Sequence, residues 1–131
     1  MATKVQIKRA YDAPARGDGY RVLVDRVWPR GVRKEALHLS EWAKDLAPST
    51  KLRQWFGHDP KRWEQFQERY ESELTDARSQ AEVQRVIDAA KDYAVLTLSY
   101  SAKDEEHNQA VVLRRVFSHR LSGGRRKAAM R

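Results

Sequence analysis

Two segments near the start of the chain predict strands: the first alternates hydrophobic and polar residues, and the second contains a short apolar run fit for a buried strand. The first is residues 4–10, KVQIKRA, and the second is residues 20–25, YRVLVD, which follows the turn signal Gly17-Asp-Gly19. A parallel crossover between adjacent strands usually takes a dozen or more residues, and the link here is short. Parallel pairing of the two as direct neighbours is therefore not expected, although one sheet can hold them apart.

In the middle of the chain, the apolar residues recur at the spacing of a helix. Residues 39–46, LSEWAKDL, fit a strand or a helix, and the strand interpretation is favoured before Pro48. Ser49 predicts the start of a helix over residues 50–56 that stops at Gly57. Asp59, with Pro60 at the first helical position, predicts a longer helix. Its apolar stripe consists of Trp63, Phe66, Tyr70 and Leu74.

The last third of the chain predicts a helix, a buried strand and a final helix. The capping box Ser79-Gln-Ala-Glu82 indicates the first helix. Residues 93–100, YAVLTLSY, are typical of an interior strand, and the final helix is entered around Asp104. This succession predicts an α/β fold with a small, largely parallel or mixed sheet of about four strands flanked by helices.

Length and composition favour one domain. The 131 residues are 40% hydrophobic, which suits a single α/β domain over residues 1–121. Residues 122–131 carry basic residues, glycine and no apolar period, so they predict a flexible tail. The chain has no cysteine, no signal peptide and no apolar run long enough to span a membrane. A cytoplasmic protein without a membrane partner is expected.

The net charge of +8 is unevenly distributed. Residues 1–62 hold 14 Lys/Arg against 7 Asp/Glu, residues 63–113 hold 5 against 11, and residues 114–131 hold 7 against none. The basic residues and the tail permit a nucleic-acid partner. The arginines of the first part, which recur near predicted strand ends, favour a small anionic ligand instead.

Chemistry-bearing residues follow the two strongest strands, and ligands of open α/β sheets bind beyond the carboxyl ends of strands. Asp25 or His107 is a candidate to move a proton, with Tyr100 as a third candidate catalytic residue. Arginine pairs with phosphate or carboxylate through two parallel hydrogen bonds, and Trp28 offers a flat face for a ring. The candidate ligand-binding residues are Arg26, Arg30, Trp28, Ser101, Lys103 and Asn108.

Each of these residues also has a structural interpretation. Asp25 and Arg26 suit an ion pair that fixes the strand end, Trp28 suits the core, and His107 suits a helix cap. No HExxH motif, paired histidine or glycine-rich cofactor loop is present, so neither a metal nor a cofactor is expected.

Four motifs in one order carry a resemblance that spans residues 4 to about 117. They are GYRVLVDRVWPRG at 19–31, EWAKDLAPST at 41–50, WFGHDPKRW at 55–63 and TLSYSAKDEEHNQAVVL at 97–113. Together they resemble the YeaO-like proteins of the domain of unknown function 488 family. The resemblance implies a small cytoplasmic bacterial protein with an α/β fold and no established activity. It also implies cysteine near the last strand, where this chain has Tyr100-Ser101 and His107-Asn108, so a thiol mechanism is excluded.

Three classes of function remain open. The first is an enzyme that acts on a phosphorylated or nucleotide-like molecule. The second is a non-catalytic sensor of the same kind of ligand, and the third is a nucleic-acid-binding accessory protein. The residues do not decide the ligand, the reaction or the oligomeric state.

Overall fold

Four parallel strands form the centre of the protein. The computed structural model describes residues 3–129, with side chains for residues 3–123. The strands are β1 (Lys4–Arg9), β2 (Tyr20–Leu23), β3 (Glu41–Trp42) and β4 (Val95–Tyr100), in the order β1-β4-β2-β3. All three pairings are parallel, and β4 lies between β1 and β2. The predicted α/β class is confirmed, as is the separation of the first two strands within one sheet.

Within residues 3–129, five α-helices accompany the sheet. They are α1 (Lys34–Leu37), α2 (Thr50–Phe56), α3 (Trp63–Glu73), α4 (Ala77–Ala90) and α5 (Gln109–Ala129). Short 3₁₀ turns cover Arg16–Asp18, Lys44–Leu46 and Pro60–Arg62. Three of the helices, α2 to α4, form the crossover that returns the chain from β3 to β4 in the middle of the sheet.

The alternation along the strands separates two buried layers. Val22 and Leu98 lie in the main core with residues of α2 to α5, such as Phe66 and Phe117. Leu23 points to the opposite face and packs in a smaller cluster with the α1 residue Leu37. Packing in the main core therefore holds helices α2 to α5 against one side of the sheet.

Gly19 fixes the entry into β2. Its φ angle is +62°, in the left-handed region, and a Cβ atom at this position would lie 2.1 Å from the carbonyl oxygen of Val95. Only glycine combines this backbone conformation with so close an approach of another segment of the backbone. The turn that the sequence indicated at Gly17-Asp-Gly19 thus locks β2 beside the start of β4.

The predicted caps at Ser49 and Asp59 are confirmed, whereas α4 and α5 start at other residues than predicted. Asp59 accepts from the Lys61 N–H at 3.0 Å and caps the turn Pro60–Arg62, which leads directly into α3. The Ser49 hydroxyl accepts a hydrogen bond from the Leu52 N–H, and α2 ends at Gly57. In α4 the predicted capping box is wrong, because Asp76 is the N-cap and accepts from the Ser79 N–H at 2.7 Å. A carboxylate three residues upstream competes successfully with the serine for the same role.

Two other boundaries also differ from the prediction. The final helix starts at Gln109, not around Asp104, because Asn108 accepts from the N–H groups of Ala110 and Val111 at 2.9 and 3.3 Å. Asp104 closes a separate turn by accepting from the Glu106 and His107 N–H groups. In the ambiguous segment 39–46, only Glu41–Trp42 is strand, and a 3₁₀ turn follows it.

The predicted flexible tail, residues 122–131, lies partly outside the described residues, and its flexibility stays a prediction. Within residues 3–129, no helix combines the length and the apolar content that crossing a bilayer requires.

Candidate functional site

Asp25 lies just beyond the carboxyl end of β2 and is held by residues that follow β4. One carboxylate oxygen accepts hydrogen bonds from the Ser101 N–H at 3.1 Å and from the Ser101 hydroxyl at 2.5 Å. The other accepts from the side-chain amide of Gln109 at 2.5 Å. The parallel pairing of β2 with β4 brings these residues together, as the strand-end argument predicted.

The electrostatic state of Asp25 reflects two opposing influences. The residue is 8% exposed, and burial raises the pKa of its carboxyl group above the usual value. The hydrogen bonds from Ser101 and Gln109, and the positive charge of Arg53, act in the opposite direction. Burial dominates, because removing a carboxylate from water disfavours its charged form.

Asp25 lines a cavity of about 580 Å³, called the strand-end cavity below. Three cationic side chains from separate parts of the chain also line it: Arg30 after β2, Arg53 in α2, and Lys103 after β4. All three are exposed, and none forms an ion pair with any residue whose side chain the structure describes. They are consequently available to an anion.

Apolar and aromatic groups form much of the remaining wall. The buried ones are Pro29, Pro48, Phe56 and Phe66. The half-buried Trp28 also contributes, but its indole N–H donates to the Val32 carbonyl at 2.7 Å and its ring packs edge-on against Trp42. Trp28 therefore offers the cavity ring surface and no hydrogen-bond donor.

Six of the nine sequence-predicted site residues line the strand-end cavity. They are Asp25, Trp28, Arg30, Ser101, Lys103 and Asn108. Asn108 is nearly fully buried, and both ends of its amide have partners, since it caps α5 and donates to the Asp104 carbonyl at 2.9 Å. Asn108 therefore lines the cavity, but its amide oxygen and nitrogen are already hydrogen bonded within the protein.

The other three predicted residues, Arg26, Tyr100 and His107, do not line this cavity, which corrects their assignment to a common site. Arg26 donates to the carbonyls of Ala47 and Pro48, both at 3.2 Å, and forms no ion pair with Asp25. Tyr100 is 1% exposed in the main core, because its position in β4 directs it toward the helices. His107 contacts the Asp104 carboxylate at 2.8 Å and the Trp63 ring.

Sequence reasoning did not identify Arg53 and Gln109. Arg53 reaches the cavity because α2 packs across the end of the sheet, which no local pattern reveals. Gln109 had one available signal: it adjoins the predicted residue Asn108, and the first residue of a helix at a strand end is well placed to face a ligand.

A second cavity, of about 670 Å³, lies between Arg26 and α4. Two ion pairs lie in its lining: Arg78 is 3.5 Å from Asp45, and Arg85 is 2.7 Å from Glu82. Although it is larger, this cavity is lined by four carboxylates, Asp45, Glu73, Asp76 and Glu82, against three guanidinium groups, which disfavours an anion. The strand-end cavity is therefore the better candidate site.

No group of three or more His, Cys, Asp or Glu side chains that could hold a metal ion occurs in the described part of the chain. The three cations of the strand-end cavity, Arg30, Arg53 and Lys103, are hydrogen-bond donors and not metal ligands.

Comparison with known proteins identifies the family. The family model described as "Inactive DUF488-N3 subclade" matches residues 4–130. The chain belongs to this DUF488 subclade. The match extends the resemblance detected in the sequence motifs to nearly the whole chain.

Relatives of this DUF488 chain occur in Escherichia coli and Mycobacterium tuberculosis. It is 47% identical over 109 residues to the uncharacterized protein YeaO of Escherichia coli K12, covering 83% of this chain and 92% of the relative. It is 36% identical over 118 residues to the uncharacterized protein Rv3073c of Mycobacterium tuberculosis H37Rv, covering 90% and 97%. No solved structure matches the chain significantly.

Proposed function

We propose that this protein binds a small anionic molecule, phosphorylated or nucleotide-like, in the strand-end cavity and does not convert it chemically. The observation that carries the proposal is the convergence of Arg30, Arg53 and Lys103 on one cavity without ion-pair partners among the described side chains. Hydrogen bonds from charged donors to phosphate or carboxylate are about twice as strong as neutral ones. Three such donors favour a ligand with one or two negative charges.

The arrangement of Asp25 supports binding without turnover. A general base must be able to take a proton from the substrate, and the three hydrogen bonds that Asp25 accepts from Ser101 and Gln109 favour its charged form, which weakens it as a base. The chain contains no cysteine to act as a nucleophile, and His107 does not line the cavity. The description of the family as an inactive subclade agrees with this proposal.

We place this activity in the cytoplasm. A chain without cysteine needs no oxidising compartment, and the cytoplasm contains the phosphorylated metabolites that the cavity would accept.

A ligand screen followed by mutation tests the proposal. Nucleotides and phosphorylated metabolites are screened by thermal shift, since a ligand at 100 times its dissociation constant stabilises the fold by about 2.7 kcal/mol. Calorimetric titration of the best compound then compares Arg53→Ala and Lys103→Ala with the matched control Arg26→Ala. We expect about 10- to 100-fold weaker binding for the first two, the size of a lost charged hydrogen bond, and wild-type affinity for the control.

Two results would overturn the proposal. One is a screen in which no phosphorylated compound or nucleotide raises the melting temperature. The other is equal, small losses of affinity for all three arginine and lysine variants, which would indicate diffuse electrostatic attraction instead of a site.

A second candidate function is catalysis by Asp25. A buried carboxyl group with a raised pKa beside a cavity is typical of acid–base residues in enzymes. The test is to incubate the compound selected by the screen with the protein and to follow it by mass spectrometry. Conversion that disappears in Asp25→Asn would favour the enzyme, and recovery of the unchanged compound would favour the binding protein.

A further inference from the structure

The acidic and basic residues of the strand-end cavity differ in exposure, and this difference constrains the orientation of a ligand. The acids are the buried Asp25 and the half-buried Asp104, whose carboxylate contacts His107, whereas the three cations Arg30, Arg53 and Lys103 are exposed. An anionic group therefore meets its partners at the mouth. The interior is better suited to an uncharged part of the same molecule, because an anion near Asp25 would be repelled.

The interior walls favour a flat, apolar-faced group. Trp28 presents ring surface, and Pro29, Pro48, Phe56 and Phe66 add buried apolar contacts. A cavity of about 580 Å³ is far larger than a phosphate group and lies within the range of about 300–1,000 Å³ that small-molecule sites occupy. An inorganic ion alone would leave most of this surface in water.

The floor of the cavity is rich in hydrogen-bond acceptors. A carboxylate has about four acceptor positions, and the three hydrogen bonds from Ser101 and Gln109 leave one at Asp25. Because a carboxylate only accepts, Gln109 must turn its NH₂ group toward Asp25. Its amide oxygen has no partner among the described residues and remains a second acceptor. The matching ligand group carries N–H donors.

Resting on the proposed function, we infer that the ligand is a nucleoside monophosphate. Its base enters the cavity and donates N–H groups to Asp25 and Gln109, and its phosphate stays at the mouth with Arg30, Arg53 and Lys103. A nucleobase supplies the two properties that the interior requires, a flat ring and N–H donors on its edge. The sugar supplies the separation between the ring and the anionic group.

Calorimetric titrations with AMP, GMP, CMP, UMP and ribose 5-phosphate test this inference. At least one nucleotide is expected to bind 10-fold or more tightly than ribose 5-phosphate, which lacks the base. Asp25→Asn, which replaces an acceptor by a donor, should weaken that nucleotide about 10-fold and leave ribose 5-phosphate unchanged. Arg53→Ala should weaken both compounds equally, because both carry the phosphate.

The outcomes separate this inference from the proposed function. Ribose 5-phosphate binding as tightly as every nucleotide would overturn the inference and leave anion binding intact. If neither the nucleotides nor ribose 5-phosphate bind, while another phosphorylated compound does, the inference again fails alone. If no anionic compound binds, both fail. The comparison of ligands needs only the wild-type protein, so an unstable Asp25→Asn variant would not prevent a decision.

Discussion

At the scale of single residues, Asp25 carries a buried carboxyl group whose charge depends on pH. Burial raises its folded-state pKa above the unfolded value of about 3.9, so the folded protein holds the proton more tightly than the unfolded chain. The associated stabilisation is complete below about pH 3.9 and is lost as the pH rises through the folded pKa. Above that pKa, the carboxyl group is charged in both the folded and the unfolded state, so its effect on the free energy of unfolding no longer changes with pH.

Asp25→Asn removes this titration, which gives a prediction for stability. The free energy of unfolding of the wild type, relative to the variant, should fall as the pH rises from about 4 and become constant above the folded pKa. Urea unfolding of both proteins at a series of pH values measures the difference. If the free energy of unfolding of the wild type, relative to the variant, rises with pH instead, the fold favours the charged carboxylate, contrary to the effect of burial.

Gly19 provides a second prediction at this scale. Gly19→Ala should lower the free energy of unfolding by about 2–4 kcal/mol. The alanine would be strained in the left-handed conformation, and its Cβ would push the Val95 carbonyl away. Gly17→Ala, two residues away, is the matched control: its Cβ meets nothing within 4 Å and its φ is not in the left-handed region. Similar stabilities for the two variants in urea unfolding would contradict the close approach of the turn to β4.

At the scale of elements, the start of α5 sets the position of the loop that carries Ser101 and Lys103. Asn108→Ala should cost about 1–2 kcal/mol, because it removes the cap of α5 and leaves buried backbone groups without partners. Asp104→Ala, which removes an exposed turn, should cost less. Equal costs in urea unfolding would place the start of the helix at Asp104, as the sequence alone indicated.

Elements with strong local signals were predictable. The pattern of residues 20–25 and 93–100 predicted β2 and β4, and the Ser49 cap and Gly57 stop predicted α2, because the determining interactions lie within a few residues. Helix starts were less predictable where two capping residues compete, as with Asp76 and Ser79. Burial of Asn108 decided the start of α5, and burial depends on the whole fold.

The candidate site was predictable where a residue follows directly from a strand end. Asp25 and Ser101 met because β2 and β4 are parallel neighbours. The direction of a side chain was harder to foresee: Arg26, one residue beyond Asp25, turns to the other side and hydrogen bonds to carbonyls. Arg53 was missed because its role arises from the packing of α2, not from its neighbours in sequence.

At the scale of the whole molecule, a second group of basic residues lies apart from the cavity, in the segment 122–131. This segment contains four basic residues, no acidic residue and little apolar area. Truncation after Leu121 should leave the melting temperature nearly unchanged and lower the salt concentration that elutes the protein from heparin. A fall of several degrees in the melting temperature would show that the segment packs against the fold.

The three cations of the strand-end cavity come from segments far apart in sequence, so the proposed anion site depends on the assembled fold. Arg30 follows β2, Arg53 belongs to α2 and Lys103 follows β4. Mapping a bound ligand onto the backbone tests this convergence most directly. In a titration of ¹⁵N-labelled protein with the tightest-binding phosphorylated compound, the amide signals of Asp25, Arg30, Arg53, Ser101, Lys103 and Gln109 should shift together with one dissociation constant. Shifts confined to the second cavity, around Arg78 and Arg85, or spread over the basic surface without saturation, would contradict a site at the strand ends.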